Sequence, residues 1–208
     1  SRGVWVEVRN GSVCLRCWRA EPQRTANDID SKSPLKRAYI VLPEVFGVNA
    51  WVRSVADRLA AQGHPALAVP LFSRTAPDLE LAYDASDLAE GRRHKDATTS
   101  EQILADVAAA VSWFRARYPQ AAIQVVGFCF GGHAAFLAAT LPGVEHAFDF
   151  YGAGVSRMRP GGGEPSLALL PEIKARLTCV FGTADPLIPP EDREAIGVAL
   201  SHVDPAGQ

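Results

Sequence analysis

The chain has 208 residues, of which 48% are hydrophobic and 21% are charged, and its formal net charge at pH 7 is −2. This balance is ordinary for one soluble globular domain over residues 1–208. It gives no sign of a nucleic-acid-binding surface, and no apolar run approaches the roughly 20 residues of a membrane span. Charged residues interrupt any signal-peptide core in the first 20 positions, so we expect a cytoplasmic protein that binds neither nucleic acid nor membrane.

The N-terminal residues read as a β-hairpin followed by a loop. Asn10-Gly11 is a strong turn signal between the apolar-rich runs 4–9 and 12–19. The second run contains Cys14 and Cys17 in a C-x-x-C pattern. Residues three apart in a strand point to opposite faces, so this pair predicts neither a redox centre nor a metal site. The polar segment 21–36 predicts a loop.

From residue 38 onward, strand patterns alternate with helix patterns. Apolar runs predict strands at residues 38–42, 64–69, 123–126, 147–151 and 177–181. Capping signals and helical spacing predict helices after Asn49, after a capping-box pattern at Thr98 and Glu101, at 133–140 and at 191–200. Residues 72–97 are predicted to be irregular. The resulting fold class is α/β, a mostly parallel twisted sheet with helices on both faces and an N-terminal antiparallel hairpin.

The pentapeptide Gly127-Phe128-Cys129-Phe130-Gly131 lies between a predicted strand and a predicted helix. Strand, sharp turn and helix are the context that a nucleophile elbow requires, here with cysteine in the usual serine position. Small flanking residues let strand and helix approach, and the elbow exposes the sulfur. The pattern therefore favours Cys129 as a nucleophile over a buried structural cysteine.

A cysteine nucleophile needs an acid, a base and donors for the oxyanion. Asp185 follows the predicted strand 177–181, where a triad acid is expected, although an aspartate before a proline is also a common turn residue. The backbone N–H of Phe130 and that of Val45, in the loop after an early strand, are the expected oxyanion donors.

Together, Pro43-Glu44-Val45-Phe46-Gly47-Val48-Asn49, Gly127–Gly132, Tyr151-Gly152 and Asp185 resemble the dienelactone hydrolase family, over most of the chain from about residue 38. The resemblance implies an α/β-hydrolase fold and a cofactor-independent, metal-free Cys-His-Asp triad that opens a lactone to a free acid. Cys129 would be the nucleophile and Asp185 the acid. Glu44 would hold the resting thiol and take its proton when substrate binds. A carboxylate beside a thiol disfavours the thiolate, so we expect a neutral resting thiol.

The family's substrate carries a carboxylate held by basic residues. Arg92 and Arg93, in a basic cluster that continues through His94 and Lys95, are the candidates here, together with Tyr151. A solvated charged loop is the alternative interpretation of this cluster.

The family's catalytic histidine follows a last strand beyond the acid. Here His202, at the end of the last predicted helix, is the only histidine after Asp185. We therefore expect this chain to be truncated at its C-terminus, with the triad histidine, a last strand and a last helix beyond Gln208. The leading prediction is a monomeric lactone hydrolase. The alternatives are a broader carboxylesterase or thioesterase, or a non-catalytic binding protein if the chain naturally ends at Gln208.

Overall fold

A seven-stranded sheet runs through the centre of the computed structural model, which describes residues 3–23 and 35–203. Most of the predicted loop 21–36 lies outside those residues. The strands are β1 (Val4–Asn10), β2 (Val13–Ala20), β3 (Arg37–Leu42), β4 (Ala66–Ala68), β5 (Ala122–Phe128), β6 (Val144–Phe150) and β7 (Arg176–Val180). Their order across the sheet is β1-β2-β4-β3-β5-β6-β7.

The N-terminal hairpin is antiparallel, and the remainder of the sheet is parallel except where β2 meets β4. Asn10 pairs with Val13 across the predicted turn. Within β2, Cys17 is fully buried while Cys14 is partly exposed, as opposite strand faces require. The carboxyl ends of β3, β5, β6 and β7 meet at one edge, where α/β proteins place their sites.

Helices cover both faces of the sheet. They are α1 (Ala50–Ala61), α2 (Ala85–Asp96), α3 (Ser100–Arg117), α4 (Phe130–Ala138) and α5 (Pro190–Val203), with a 3-10 helix at Ser166–Glu172. In β3, Ile40 and Leu42 pack on the side of α3 and α4, and Val41 packs on the side of α1. The predicted fold class is confirmed. In the part of the chain described, no helix is long and apolar enough to cross a membrane.

The two predicted helix caps had different outcomes. Asn49 caps α1, accepting from the Val52 N–H at 3.2 Å, as predicted. The capping box of α3 lies one residue later than predicted and joins Thr99 to Gln102. The Thr98 hydroxyl instead donates to the His94 carbonyl at 2.7 Å, at the C-terminal end of α2.

The segment predicted as irregular contains helix α2. Only Gly91 is buried in this helix, so its sequence shows no apolar stripe from which it could have been recognised. End effects stabilise it instead: Asp84 accepts from the Asp87 N–H at 2.8 Å, and basic residues occupy the last turn. The basic cluster containing Arg92 and Arg93 is therefore helical rather than part of a loop.

Candidate active site

Cys129 lies in the sharp turn between β5 and α4. Its backbone angles are φ 56° and ψ −119°, in the left-handed half of conformational space that non-glycine residues adopt only at a cost of about 1–3 kcal/mol. Its N–H donates to the Phe150 carbonyl at 2.9 Å, and its carbonyl accepts from the His133 N–H at 3.1 Å. The strand, turn and helix of a nucleophile elbow are therefore all present around this half-buried thiol.

Gly131 brings the loop after β3 against the elbow. A Cβ at this position would lie 2.4 Å from the carbonyl oxygens of both Leu42 and Pro43, so no side chain fits. The residues that follow Pro43 are Glu44, which is half-buried, and Val45, which is buried. The glycine pattern thus joins the two segments that the sequence singled out.

The surroundings of Cys129 keep its thiol neutral. Burial is the largest influence and raises the pKa of the thiol. The Phe130 N–H opposes this by donating to the sulfur, whereas the carboxylates of Glu44 and Asp185 raise the thiol pKa further. The Lys95 ammonium acts in the opposite direction, and the net direction is upward. The structure therefore brings the three predicted catalytic side chains within electrostatic reach of one another.

Two tyrosines join this group. Burial is the largest influence that raises the pKa of Tyr151. The charges of Glu44 and Cys129 raise this pKa further, so the phenol lies near both groups. Tyr151 also has a positive φ of 43°, and its N–H donates to the Val180 carbonyl at 2.8 Å. Tyr83, which no sequence signal singled out, lies near Glu44 and hydrogen-bonds the Asn49 amide at 3.0 Å.

Asp185 lies in the loop after β7 and is both a turn residue and a neighbour of the thiol. Its Oδ1 accepts from the Leu187 N–H at 2.9 Å, which closes a short turn. Its charge nonetheless acts on Cys129. The two interpretations that the sequence left open are therefore compatible.

Helix α2 lies over the loop that carries Val45. A Cβ at Gly91 would lie 2.4 Å from the Val45 carbonyl oxygen, so the helix backbone packs directly on that loop. One turn later on the same helix face, Lys95 is partly buried, while Arg92 and Arg93 are exposed. The substrate-binding role of these arginines stays a prediction. Gly91 and Lys95 share a face only in a helix, so the sequence alone does not indicate that they lie together.

Among the described residues, none of the five histidine rings of the sequence makes a hydrogen bond with the Cys129 thiol. His133 is 1% exposed, and its Nδ1 and Nε2 lie 2.9 Å from the Ala153 carbonyl and 2.7 Å from the Ser166 hydroxyl. Burial lowers the pKa of this ring to about 4. The others lie elsewhere: His64 against the Tyr39 ring, His94 on Thr75, His146 on Thr178, and His202 exposed in α5.

Comparison with known proteins gives a consistent result. Residues 26–206 match the model of the dienelactone hydrolase family. The chain is 37% identical over 164 residues to a putative carboxymethylenebutenolidase of Synechocystis sp., and the match covers 78% of this chain and 67% of that protein. It is 30% identical over 159 residues to the carboxymethylenebutenolidase of Pseudomonas putida, covering 76% of this chain and 64% of that protein. The chain thus spans about two thirds of the length of these relatives.

The fold is similar to that of a solved putative dienelactone hydrolase from Klebsiella pneumoniae, with a TM-score of 0.78 at 24% identity. That superposition covers 98% of this chain and 82% of the other. The α/β-hydrolase fold expected from the sequence is confirmed.

Proposed function

Because this chain belongs to the dienelactone hydrolase family, we propose that it is a hydrolase that opens a small lactone by nucleophilic attack of Cys129. The observation that carries the proposal is the position of Cys129, held at a positive φ between β5 and α4 with two carboxylates within electrostatic reach. A purely structural cysteine has no need of a strained turn, nor of carboxylates that destabilise its thiolate.

The reaction begins with transfer of the Cys129 proton to Glu44. Burial raises the pKa of Glu44, which makes its carboxylate a better proton acceptor than an exposed one. The thiolate then attacks the lactone carbonyl carbon, and the N–H groups of Val45 and Phe130 donate to the oxyanion that forms. Collapse of this intermediate breaks the ring C–O bond, and the leaving ring oxygen takes the proton from Glu44, which restores the Glu44 carboxylate. Water finally hydrolyses the thioester to the free acid, and a proton of that water passes to the sulfur.

Hydrolysis of the thioester requires a base. We propose that this base is a histidine that is not among the five of this sequence. The proposal rests on the locations of the five, because His133 is buried and engaged at both ring nitrogens and the other four have their own neighbours or are exposed. Asp185 would orient that imidazole and stabilise its charged form.

The proposed substrate is a small lactone that carries a carboxylate. Tyr151 is proposed to contact it, because its phenol lies near both the thiol and Glu44. Arg92 and Arg93, both exposed on α2, are proposed to bind the substrate carboxylate.

The test supplies the missing base as free imidazole. The 208-residue chain is assayed with and without imidazole on a panel of anionic lactones, neutral aryl esters and thioesters. We expect imidazole-stimulated turnover of the anionic lactones that vanishes in Cys129→Ala and persists in the matched control Cys14→Ser. A preference for aryl esters or thioesters would point to a broader esterase. Turnover that is equal in Cys129→Ala would refute the proposed nucleophile, and binding without any turnover would favour a non-catalytic protein.

A further inference from the structure

We propose that Asp149 is a positioning residue of this site, whose buried carboxyl holds the turn that carries Tyr151 against the first turn of the elbow helix. The inference rests on the proposed function only for its consequence in catalysis, because the arrangement itself is visible in the fold. Asp149 belongs to none of the sequence motifs.

The carboxyl of Asp149 is enclosed on all sides. The residue is 0% exposed and is the penultimate residue of β6. Its Oδ1 accepts from the Gly152 N–H at 2.9 Å. Its Oδ2 is equally buried and has no hydrogen-bond partner among residues 3–23 and 35–203. Such an unpartnered buried oxygen is costly and calls for an explanation beyond simple packing.

The turn that Asp149 closes is hydrogen-bonded to the backbone of the nucleophile and carries Tyr151 in a strained conformation. Between the bonded ends of the turn, the Phe150 carbonyl accepts the Cys129 N–H at 2.9 Å. The next residue, Tyr151, is held at φ 43°, a conformation that costs a non-glycine residue free energy unless its surroundings impose it. The bond from Gly152 to the Asp149 carboxyl spans this strained residue and supplies that constraint.

The elbow helix packs directly on the same carboxyl. A Cβ at Gly132 would lie 2.5 Å from Asp149 Oδ1, and a Cβ at Gly152 would lie 2.4 Å from it. The glycine after the elbow motif is therefore explained by Asp149. The carboxyl sits where the first turn of α4, the end of β6 and the Tyr151 turn converge.

The ionisable groups around Asp149 supply no positive charge. Cys179 lies directly opposite on β7. Burial is the main influence that raises the pKa of the Cys179 thiol, and the Asp149 carboxylate raises it further. His133, which follows Gly132 on α4, is neutral above about pH 4, and β5 presents Gly127. No ion pair to Asp149 occurs in the described part of the chain. Burial accordingly raises the pKa of Asp149 to about 7, with the Gly152 N–H opposing it.

Two states of the turn follow from this environment. Below about pH 7 the carboxyl is neutral and the turn is closed without a buried charge. Above it, an unpaired charge lies beneath the elbow and loosens the contact between the turn and α4. Because burial is the main influence on the Cys129 thiol, loosening should expose the sulfur and raise its reactivity.

The test measures alkylation of Cys129 by iodoacetamide across pH, with the modified peptide identified by mass spectrometry. This readout needs no substrate, so it can fail or succeed independently of the proposed lactone hydrolysis. Asp149→Asn keeps an oxygen for the Gly152 N–H and cannot ionise, whereas Asp149→Leu removes the acceptor. We expect Asp149→Asn to match wild type below pH 7, with wild type reacting severalfold faster above it. Asp149→Leu should react severalfold faster than Asp149→Asn throughout.

The matched control is Asp192→Asn. Asp192 is also buried, at 6% exposure, but pairs with Arg157 at 2.7 Å. The Asp192→Asn substitution should lower the melting temperature and leave the Cys129 alkylation profile unchanged. The inference is overturned if Asp149→Asn and wild type give the same profile above pH 7. It is also overturned if Asp192→Asn accelerates alkylation as much as Asp149→Leu at an equal loss of melting temperature, since that would mark a general stability effect.

Discussion

Acidification should destabilise this protein through His133, one turn beyond the proposed nucleophile. The ring is almost completely buried, and burial lowers its pKa from 6.5 to about 4. In the unfolded chain the same ring becomes protonated as the pH falls through 6.5, while the folded protein holds it neutral down to about pH 4. Its folded-state pKa is depressed, so stability is fully present above pH 6.5 and is lost towards pH 4.

The size of this effect follows from the shift. A difference of one pKa unit corresponds to about 1.4 kcal/mol, so the change from 6.5 to about 4 is equivalent to about 3 kcal/mol of unfolding free energy. That is a substantial fraction of the stability of an ordinary domain. A His133→Asn variant removes the titration and retains an amide N–H that can donate to the Ala153 carbonyl, at the expense of the Ser166 contact.

The assay is urea unfolding of wild type and His133→Asn at a series of pH values from above 6.5 down to about 4. The variant is expected to be less stable at the upper end, where the native ring makes both bonds. The gap should then shrink by about 3 kcal/mol as the pH falls, because only wild type loses the histidine contribution. His202→Asn, at an exposed position, is the control and should run parallel to wild type.

Parallel curves for wild type and His133→Asn over this range would refute the reasoning. They would mean that the ring has the same pKa in the folded and the unfolded protein, as it would if water reached it. That result would return His133 to consideration as a functional base.

Three further outcomes are expected. Glu44→Gln should lower the pKa of the Cys129 thiol, because the substitution removes a like charge. Iodoacetamide alkylation should therefore begin at lower pH than in wild type, and an unchanged profile would contradict the assignment of Glu44 as a charge beside the thiol. Lys95→Met should raise the thiol pKa further and slow alkylation, whereas the exposed control Lys174→Met should not; equal effects would indicate a general loss of positive charge. Replacing Arg92 and Arg93 with alanine should raise KM for an anionic lactone roughly tenfold and spare a neutral ester, and equal changes for both substrates would remove these arginines from the site.

The strands and the elbow could be predicted because their patterns are local. An apolar run such as Ala38–Leu42 indicates a buried strand, and the small residues around Cys129 indicate a tight strand-to-helix turn. Asn49 was recognisable as a cap for the same reason, since its side chain bonds a backbone group three residues away.

Helix α2 could not be predicted, because its contacts with the domain run through a glycine and through side chains that carry no periodic apolar signal. Gly91 packs on the Val45 carbonyl, which lies far away in sequence. Asp149 could not be predicted for a related reason: β6 also contains Glu145 and His146, so a further polar residue in it gives no indication of what surrounds that residue. Only the three-dimensional arrangement shows that Gly132 and Gly152 both pack on its carboxyl.

The role of Cys129 as nucleophile is tested most directly by identifying the atom that receives the acyl group. The chain is incubated with an activated ester such as p-nitrophenyl acetate, quenched in acid before the thioester hydrolyses, and digested for peptide mass spectrometry. We predict the acyl group on Cys129, with no such adduct in Cys129→Ala. An acyl group on the partly exposed Cys14 instead, with Cys129 unmodified, would contradict it.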